Sequence, residues 1–412
     1  MDFILVIVST LGTSFVVYFF FSVLSLFAET LTGTATFGGF LLLAYSITAL
    51  VSRPLAGMLT DKFGRVKILI IGAGICTVSC IMYVFSTDLI LVRFTAGLVL
   101  LVSMRMLNAF GMSLNNIGAG AAIPDIVPKE RISEGVGLSG MAYTIAQAIG
   151  PMVALAVIKG GEIESYKTLF WLSAGICAIS LASGCFIKYE SKQVINPRTE
   201  SGPVTETEPE DVPEVKSFLG FESPVIGPAL VIMILFFGLT SISYFLTLYG
   251  RLRDFNVEQL GWFFLASASG IAAARIFFGK IADRYGPDVL IMPGLAAIAL
   301  FMFVIPFAKS SMFLIYLGLP YGLANGSVAP SINALMFRRC SPKRRGGVVA
   351  AYTMAIDIGF TFGAPIMGLI ADHINFDLVY RLSSAMVIVA LLVYTFFVSD
   401  MSRRHKLRTS AH

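Results

Sequence analysis

Long uncharged apolar runs recur along nearly the whole 412-residue chain, and short polar or charged segments separate them. A helix needs roughly 20 apolar residues to cross the hydrocarbon of a bilayer, and each run is about that long. The pattern therefore predicts a series of transmembrane helices. We place twelve of them, near residues 3–27, 36–60, 68–87, 95–123, 134–158, 168–187, 226–249, 259–282, 289–308, 311–336, 347–371 and 379–399.

Residues 188–225 interrupt this pattern with a stretch rich in proline and acidic side chains. Such a composition cannot bury a hydrophobic core, so the stretch is predicted to be a flexible cytoplasmic linker. It divides the chain into an N-terminal six-helix bundle, residues 1–187, and a C-terminal six-helix bundle, residues 226–399. Residues 400–412 form a cytoplasmic tail. The predicted fold class is an all-α membrane protein.

Composition supports this interpretation, because 56% of the residues are hydrophobic and only 13% are charged. The net charge of +5 is spread over short loops, which favours membrane topology over nucleic-acid binding. Most of the Lys and Arg residues fall on one side if the N-terminus is cytoplasmic, so both termini are predicted to be cytoplasmic and the protein to lie in the plasma membrane. The sequence contains no HExxH zinc motif and no phosphate-binding loop, so we expect no metal, no ATP and no enzymatic activity.

The two halves contain an internal repeat. A shift of 222 residues superposes Gly39 on Gly261, Arg53 on Arg275, Gly57 on Gly279, Asp61 on Asp283 and Gly64 on Gly286. A shift of 214 residues superposes Pro128 on Pro342, Arg131 on Arg345 and Pro151 on Pro365. The first half therefore has about eight extra residues, which we place between Leu89 and Met104. Parallel repeats of this kind predict a pseudo-two-fold axis along the membrane normal and a cavity between the halves.

The run from Gly57 to Lys67, Gly-Met-Leu-Thr-Asp-Lys-Phe-Gly-Arg-Val-Lys, resembles the loop signature of the major facilitator superfamily. In that family the loop locks the outward-facing state against helix 11, and an acid at the end of helix 4 joins the arginine. The resemblance implies a gating motif of Gly57, Asp61, Gly64, Arg65 and Asp125, with a second copy at Gly279, Asp283 and Gly286. In the second copy Pro287 replaces the arginine, which puts its charge relay in doubt. The alternative is that these charges only fix topology and contact lipid headgroups.

Two further motifs resemble those of the twelve-helix drug and metabolite efflux branch of that family. Arg105 begins Arg-Met-Leu-Asn-Ala-Phe-Gly, which is similar to the helix 4 signature of proton-coupled members. Gly137, Gly150 and Pro151 match the helix 5 pattern of antiporters, although alanines and a leucine replace its other glycines. Pro151 and its repeat partner Pro365 predict helix bends. Arg105 should either face the cavity or extend outward to the membrane interface.

Asp357 is the one carboxylate well inside a predicted span, and such an acid is a functional candidate. It could bind and release a proton as the cavity switches sides, or it could pair with an arginine and hold helix 11 in place. Polar residues on otherwise apolar helices are candidates for the cavity wall, with hydrogen bonding between helices as the alternative. They are Asn108, Asn115, Asn116, Gln147, Tyr244, Tyr321 and Asn325.

The leading hypothesis is a monomeric exporter of small amphipathic or cationic organic compounds, such as drugs or secreted metabolites. The proton gradient would supply the energy, with Asp357 and Arg105 as coupling residues and no cofactor. The second hypothesis is a symporter or facilitator for nutrient uptake. A receptor or an enzyme would need a ligand-binding domain or a nucleophile and metal constellation, and the sequence shows neither.

Overall fold

The computed structural model describes residues 1–128, 132–159, 161–188, 217–218, 221–340 and 345–399. Within these ranges the chain forms twelve long α-helices. They are α1 (Asp2–Thr32), α2 (Ala35–Phe63), α3 (Arg65–Val92), α4 (Phe94–Ile126), α5 (Ile132–Ile158), α6 (Ile163–Cys185), α7 (Ser223–Leu252), α8 (Leu260–Tyr285), α9 (Asp288–Val304), α10 (Ser311–Arg339), α11 (Arg345–His373) and α12 (Phe376–Val393). A 3₁₀ turn, Ile305–Phe307, follows α9, and a π-helical turn, Tyr394–Ser399, follows α12.

Eleven of these helices carry a described segment that is long and apolar enough to cross a membrane, and α8 is the exception. Large apolar side chains such as Phe85, Trp171 and Leu300 are more than half exposed on the outside of the protein. A water-soluble protein would bury side chains of this size, whereas lipid solvates them. The protein is therefore a multi-pass membrane protein.

The two halves repeat the same helix packing. In the first half α1 packs on α5 and α6, α2 packs on α4, and α3 packs on α4 and α6. In the second half α7 packs on α11 and α12, α8 packs on α10, and α9 packs on α10 and α12. Each pair in one half has its counterpart six helices later, which confirms the prediction of two pseudo-symmetric six-helix bundles.

Among the described residues, three helix pairs make the main contacts between the bundles, and we call these contacts the seams. They are α2 with α11, α5 with α8, and α1 with α7. The first two seams are related by the repeat, because α2 corresponds to α8 and α11 corresponds to α5. The third seam pairs the first helix of each bundle.

Most of the helices extend beyond at least one predicted end by a few residues, since charged and polar side chains at the ends still continue a helix into the membrane interface. The predicted 68–87 helix becomes Arg65–Val92, and the next helix begins at Phe94. Only Arg93 separates the two, so the extra residues of the first half lie in a longer α3–α4 hairpin. A Cβ atom on Gly97 would lie 2.4 Å from the Ile90 nitrogen, which shows how closely this hairpin packs.

The linker prediction needs one correction at its C-terminal end. A two-residue antiparallel ladder of β1 (Ser217–Phe218) and β2 (Phe221–Glu222) leads directly into α7, which begins at Ser223 rather than 226. Glu222 ends the ladder, and Pro224 lies in the first turn of α7, where a missing N–H costs no helix hydrogen bond. The rest of the predicted linker, residues 189–216 and 219–220, and the predicted tail 400–412 lie outside the described residues.

Candidate functional site

A cavity of about 300 Å³ lies between the two bundles near the middle of the helices. Apolar and aromatic side chains from α1, α7, α8 and α11 form most of its wall, including Phe21, Phe236, Phe264 and Phe360. Its volume is at the lower end of the range typical of sites for small organic ligands. The wall combines this apolar surface with a few separate polar groups, which suits an amphipathic molecule.

The structure places four of the predicted cavity residues on this wall. Asn116 and Gln147 contribute from the first bundle, and Tyr321 and Asn325 contribute from the second. The hydroxyl of Tyr143 donates a hydrogen bond of 2.5 Å to the Asn116 side-chain oxygen, so this amide is held in place from α5. Tyr143 also lines the cavity, and sequence analysis did not single it out.

The other three predicted cavity residues lie away from the wall. Asn115 is fully buried and joins three helices, accepting from Thr13 at 2.9 Å and donating to Ser9 and to the Leu69 carbonyl at 3.2 Å each. Asn108 donates to Ser79 on α3 at 3.0 Å, and Tyr244 is buried in the α1–α7 seam. Asn108 and Asn115 therefore fit the alternative prediction, in which a polar residue forms hydrogen bonds between helices and does not line the cavity. Each of the two side chains points into its own bundle.

We call the end of the protein that contains the α2–α3 turn at Gly64 the motif end, and the opposite end, near Gly33 and Ile374, the far end. At the far end the two related seams are in backbone contact. A Cβ atom on Gly39 would lie 2.5 Å from the Ala364 oxygen, and one on Gly261 would lie 2.9 Å from the Met152 Cα. Only glycine permits helices to approach this closely. The repeat therefore builds the same close contact twice.

The α1–α7 seam closes the far end with hydrogen bonds. Ser25 donates to the Tyr244 carbonyl at 2.5 Å, and Thr247 donates to the Ser22 carbonyl at 2.6 Å. Arg251 donates to Thr30 at 2.8 Å. These bonds connect α1 and α7, the first helices of the two bundles, so they must break if the bundles separate at this end.

Asp372, near the end of α11, caps the N-terminus of α2 in the other bundle. Its two carboxylate oxygens each accept a backbone N–H at 2.7 Å, one from Ala35 and one from Thr36. Helix N-termini have unpaired N–H groups and a partial positive charge, which an ionised carboxylate satisfies. This contact was not predicted from the sequence, although an acid directly before the α11–α12 turn is a pattern that could have indicated it.

On the motif side of the cavity, one arginine bridges each of the two related seams. Arg53 on α2 forms a bidentate ion pair with Asp357 on α11, with nitrogen–oxygen distances of 2.5 and 3.1 Å. Arg275 on α8 donates to Thr144 on α5 at 2.9 Å. The predicted acid Asp357 therefore pairs with an arginine, as one alternative held, but this pair joins two bundles rather than only fixing helix 11. Its neighbours Ile356 and Phe360 line the cavity.

Arg105 is completely buried inside the first bundle and does not extend outward to the interface. Its guanidinium carbon lies 4.2 Å from the centre of the Tyr45 ring and 5.4 Å from that of the Phe20 ring. Tyr45 separates it from the cavity, and Asp357 pairs with Arg53 instead. The two predicted coupling residues are thus not in contact.

The first copy of the gating motif brings Arg65 and Asp125 together as an ion pair, and Arg65 also donates to the Ala121 carbonyl at 3.1 Å. Gly64 has φ +100°, a conformation that a side chain disfavours, so it makes the tight α2–α3 turn possible. Asp61 is exposed, and a Cβ atom on Gly57 would meet nothing within 4 Å. In the described part of the chain, Asp61 has no hydrogen-bond or ion-pair partner.

The second copy keeps the turn. Gly286 has φ +91°, which matches Gly64, and Pro287 stands at the start of α9 where the first copy has its arginine. The next residue, Asp288, accepts a hydrogen bond from the Tyr394 hydroxyl. The surroundings of Gly279 and the side chain of Asp283 lie outside what the structure describes.

The predicted bend residues have different surroundings. Pro151 lines the cavity, and its repeat partner Pro365 lies in the α2–α11 seam, where a Cβ atom on Gly39 would lie 2.9 Å from the Pro365 Cα. Gly150 packs α5 against α1, since a Cβ atom there would lie 3.0 Å from the Cβ of Tyr18. Gly137 belongs to α5, but its surroundings lie outside the described residues.

Two pseudo-symmetric helical bundles around a central cavity, sealed at one end, define a membrane transporter rather than an enzyme. The chain belongs to the Major Facilitator Superfamily, whose family model matches residues 5–258 and 229–411. It is similar to the staphylopine export protein of Staphylococcus aureus, with 24% identity over 88% of this chain and 87% of that protein. It is also similar to the multi-drug resistance efflux pump PmrA homolog of Lactococcus lactis, with 24% identity over 85% and 83% of the two chains.

The fold is also that of a solved transporter. The xylose transporter XylE from Escherichia coli, in an inward-open conformation, superposes with a TM-score of 0.72 over 97% of this chain and 96% of that chain, at 16% identity. At this identity the likeness shows the fold alone. The predicted family, fold class and transporter class are confirmed.

Proposed function

We propose that this protein exports small amphipathic organic compounds by alternating access and that protons drive the export. The observation that carries the proposal is the Arg53–Asp357 pair, an ionisable contact between the bundles beside an apolar cavity. The similarity to export and efflux proteins supports the outward direction.

The distribution of Lys and Arg supports an orientation with the motif end in the cytoplasm and the far end outside. In that orientation the structure corresponds to an inward-facing state. Backbone contacts at Gly39 and Gly261 and the Asp372 cap hold the external end closed. At the cytoplasmic end, the open space around Gly57 and the exposure of Asp61 fit a gating loop that is disengaged in this state.

Asp357 can couple protons to the movement of the bundles because its charge holds a contact between them. An ionised carboxylate holds Arg53 through one hydrogen bond and a second close nitrogen–oxygen contact, whereas a protonated one loses the charge attraction between the two groups. Proton uptake would therefore release the α2–α11 seam, and proton loss would restore it. A cationic substrate would compete with Arg53 for the same carboxylate.

Uptake of a nutrient by symport or facilitation is the second candidate. The fold is compatible with it, because the xylose transporter XylE has the same architecture. The two candidates differ in the relative direction of substrate and protons. In a proton-coupled exporter the substrate and the protons cross the membrane in opposite directions, whereas in a symporter they cross in the same direction.

The test is transport by the purified full chain in lipid vesicles with an imposed pH gradient, using a fluorescent amphipathic dye that carries no positive charge. Wild type should move the dye against its gradient and in the direction opposite to protons. Asp357→Asn should lose this gradient-driven movement while it still folds and binds dye. Asp254→Asn is the matched control, because Asp254 is exposed in a loop and has φ 56°, which asparagine tolerates. Full gradient-driven transport in Asp357→Asn would refute the coupling role, and movement of dye with the protons would favour symport.

A further inference from the structure

Arg105 is a buried cation without an anion. Its side chain has no exposed surface, and Nε, Nη1 and Nη2 have no hydrogen-bond partner among the described residues. The side chain is enclosed by aromatic rings, with Phe20 and Tyr45 in contact with the guanidinium. Aromatic faces attract a cation but cannot satisfy five N–H donors. An unpaired charge in this environment is costly, so the site favours any anion that can enter it.

Further unsatisfied polar atoms surround this cation. The hydroxyls of Tyr83 and Tyr244 are fully buried and form no hydrogen bond of good geometry with the described residues. The Tyr83 ring packs against Phe20, which contacts the guanidinium, and the Tyr83 oxygen is close enough to Arg105 to act as an acceptor for it. Tyr244 lies within electrostatic reach of the same cation. A tyrosine hydroxyl that accepts from a guanidinium still has its own O–H to donate. Buried polar groups are nearly always paired, so three unsatisfied donor side chains in one place are unusual. Together they match an oxyanion, which offers acceptors only.

The cluster adjoins the cavity. Arg105, Met112 and Asn116 lie at spacings of seven and eleven residues on α4 and therefore share one helix face, and Met112 and Asn116 line the cavity. The Tyr45 ring, which covers Arg105 at 4.2 Å, forms part of the same wall. A change of the Tyr45 rotamer would connect the cavity to the cation.

We propose that Arg105, Tyr83 and Tyr244 form an oxyanion subsite of the substrate cavity, with Tyr45 as its cover. The ligand class is a small amphipathic compound with one carboxylate-type group, whose apolar part occupies the aromatic cavity. The inference rests on the proposed function, since it assigns a chemical class to the molecule that the cavity transports. Tyr244 belongs to the second bundle and the other two residues belong to the first. A bound oxyanion would therefore hold the bundles together at the far end.

The test measures equilibrium binding to the purified full chain in detergent, without a pH gradient, so its result does not depend on proton coupling or direction. The probes are 2-naphthoate and its uncharged counterpart 2-naphthamide, measured by calorimetry at pH 7.5. Wild type should bind the carboxylate at least about tenfold more tightly than the amide, because hydrogen bonds to charged groups are the strong ones. Arg105→Gln should remove this preference and leave amide binding unchanged.

Two variants separate charge from packing. Arg381→Gln removes a guanidinium from an exposed position on α12, and it should keep the full preference. Tyr83→Phe keeps the ring and removes one hydroxyl donor, so it should reduce the preference by several-fold, and it remains informative if Arg105→Gln fails to fold. Equal affinity of wild type for the two probes would overturn the proposal. An undiminished carboxylate preference in both Arg105→Gln and Tyr83→Phe, or in Tyr83→Phe alone if the first variant does not fold, would overturn it as well.

Discussion

Adding one methyl group at Gly39 should open the far end of the protein. In the Gly39→Ala variant the new Cβ atom would lie 2.5 Å from the Ala364 oxygen and 2.9 Å from the Ala364 carbon. Both neighbours are backbone atoms, so the α2–α11 seam has to move apart to accommodate the methyl group. Overpacking of this kind typically costs about 1–3 kcal/mol.

The cost applies only where the seam is closed. In a state whose far end is open, the methyl group has free space and costs nothing. The equilibrium between the two states should therefore shift toward the far-open state by a factor of about 5–150. Gly261→Ala should act in the same direction through the related α5–α8 seam, where the new Cβ would lie 2.9 Å from the Met152 Cα.

The assay is a distance measurement between two spin labels at the far end, one on each bundle. Arg93→Cys and Lys309→Cys place one label on each bundle at exposed positions, after Cys185 and Cys340 are changed to serine. Gly39→Ala should increase the population of the long distance. Gly175→Ala is the control, since a Cβ atom there meets nothing within 4 Å. Unchanged distance distributions in a folded Gly39→Ala protein would refute the assignment of this contact as a far-end seal.

Three further predictions concern the contacts between and within the bundles. Asp372→Ala removes the cap of α2 and should favour the far-open state about fivefold, as a lost N-cap costs about 1 kcal/mol; an unaltered spin-label distance would argue against it. Arg53→Gln leaves Asp357 without its partner, so Arg53→Gln/Asp357→Asn should melt at a higher temperature than Arg53→Gln alone; a lower melting temperature of the double variant would contradict this. Gly64→Ala forces a side chain into φ +100° and should cost about 1–2 kcal/mol of stability, whereas Gly120→Ala, which has free space, should not; equal thermal stability of the two would count against the turn argument.

Much of the fold could be predicted because the lipid bilayer imposes a constraint that can be read along the sequence. Each span must be apolar over the thickness of the bilayer, so helix number and approximate ends follow from local sequence. The repeat then pairs Gly39 with Gly261 and Arg53 with Arg275, and the structure gives each pair the same place in its seam. What these residues contact could not be predicted, because the partners Ala364, Met152, Asp357 and Thr144 belong to the other bundle.

The errors at the cavity have a different physical cause. Whether a polar residue faces the cavity depends on the rotation of its helix about its own axis. Asn115 and Asn116 are neighbours on α4, yet Asn116 lines the cavity and Asn115 joins three helices inside the first bundle. An apolar helix that is buried on several sides has no polar stripe that would reveal this rotation. The family resemblance did place Arg65 beside Asp125, because it supplied information about contacts that composition lacks.

If protons and an organic solute are exchanged through the central cavity, a gradient of the solute alone should move protons. Vesicles containing the purified protein and a trapped pH-sensitive dye, with no initial pH gradient, receive a concentration gradient of the transported compound. Movement of the compound should change the internal pH in the sense of exchange, and Asp357→Asn should abolish this change. Movement of the compound through the wild-type protein without any change in internal pH would rule out the exchange.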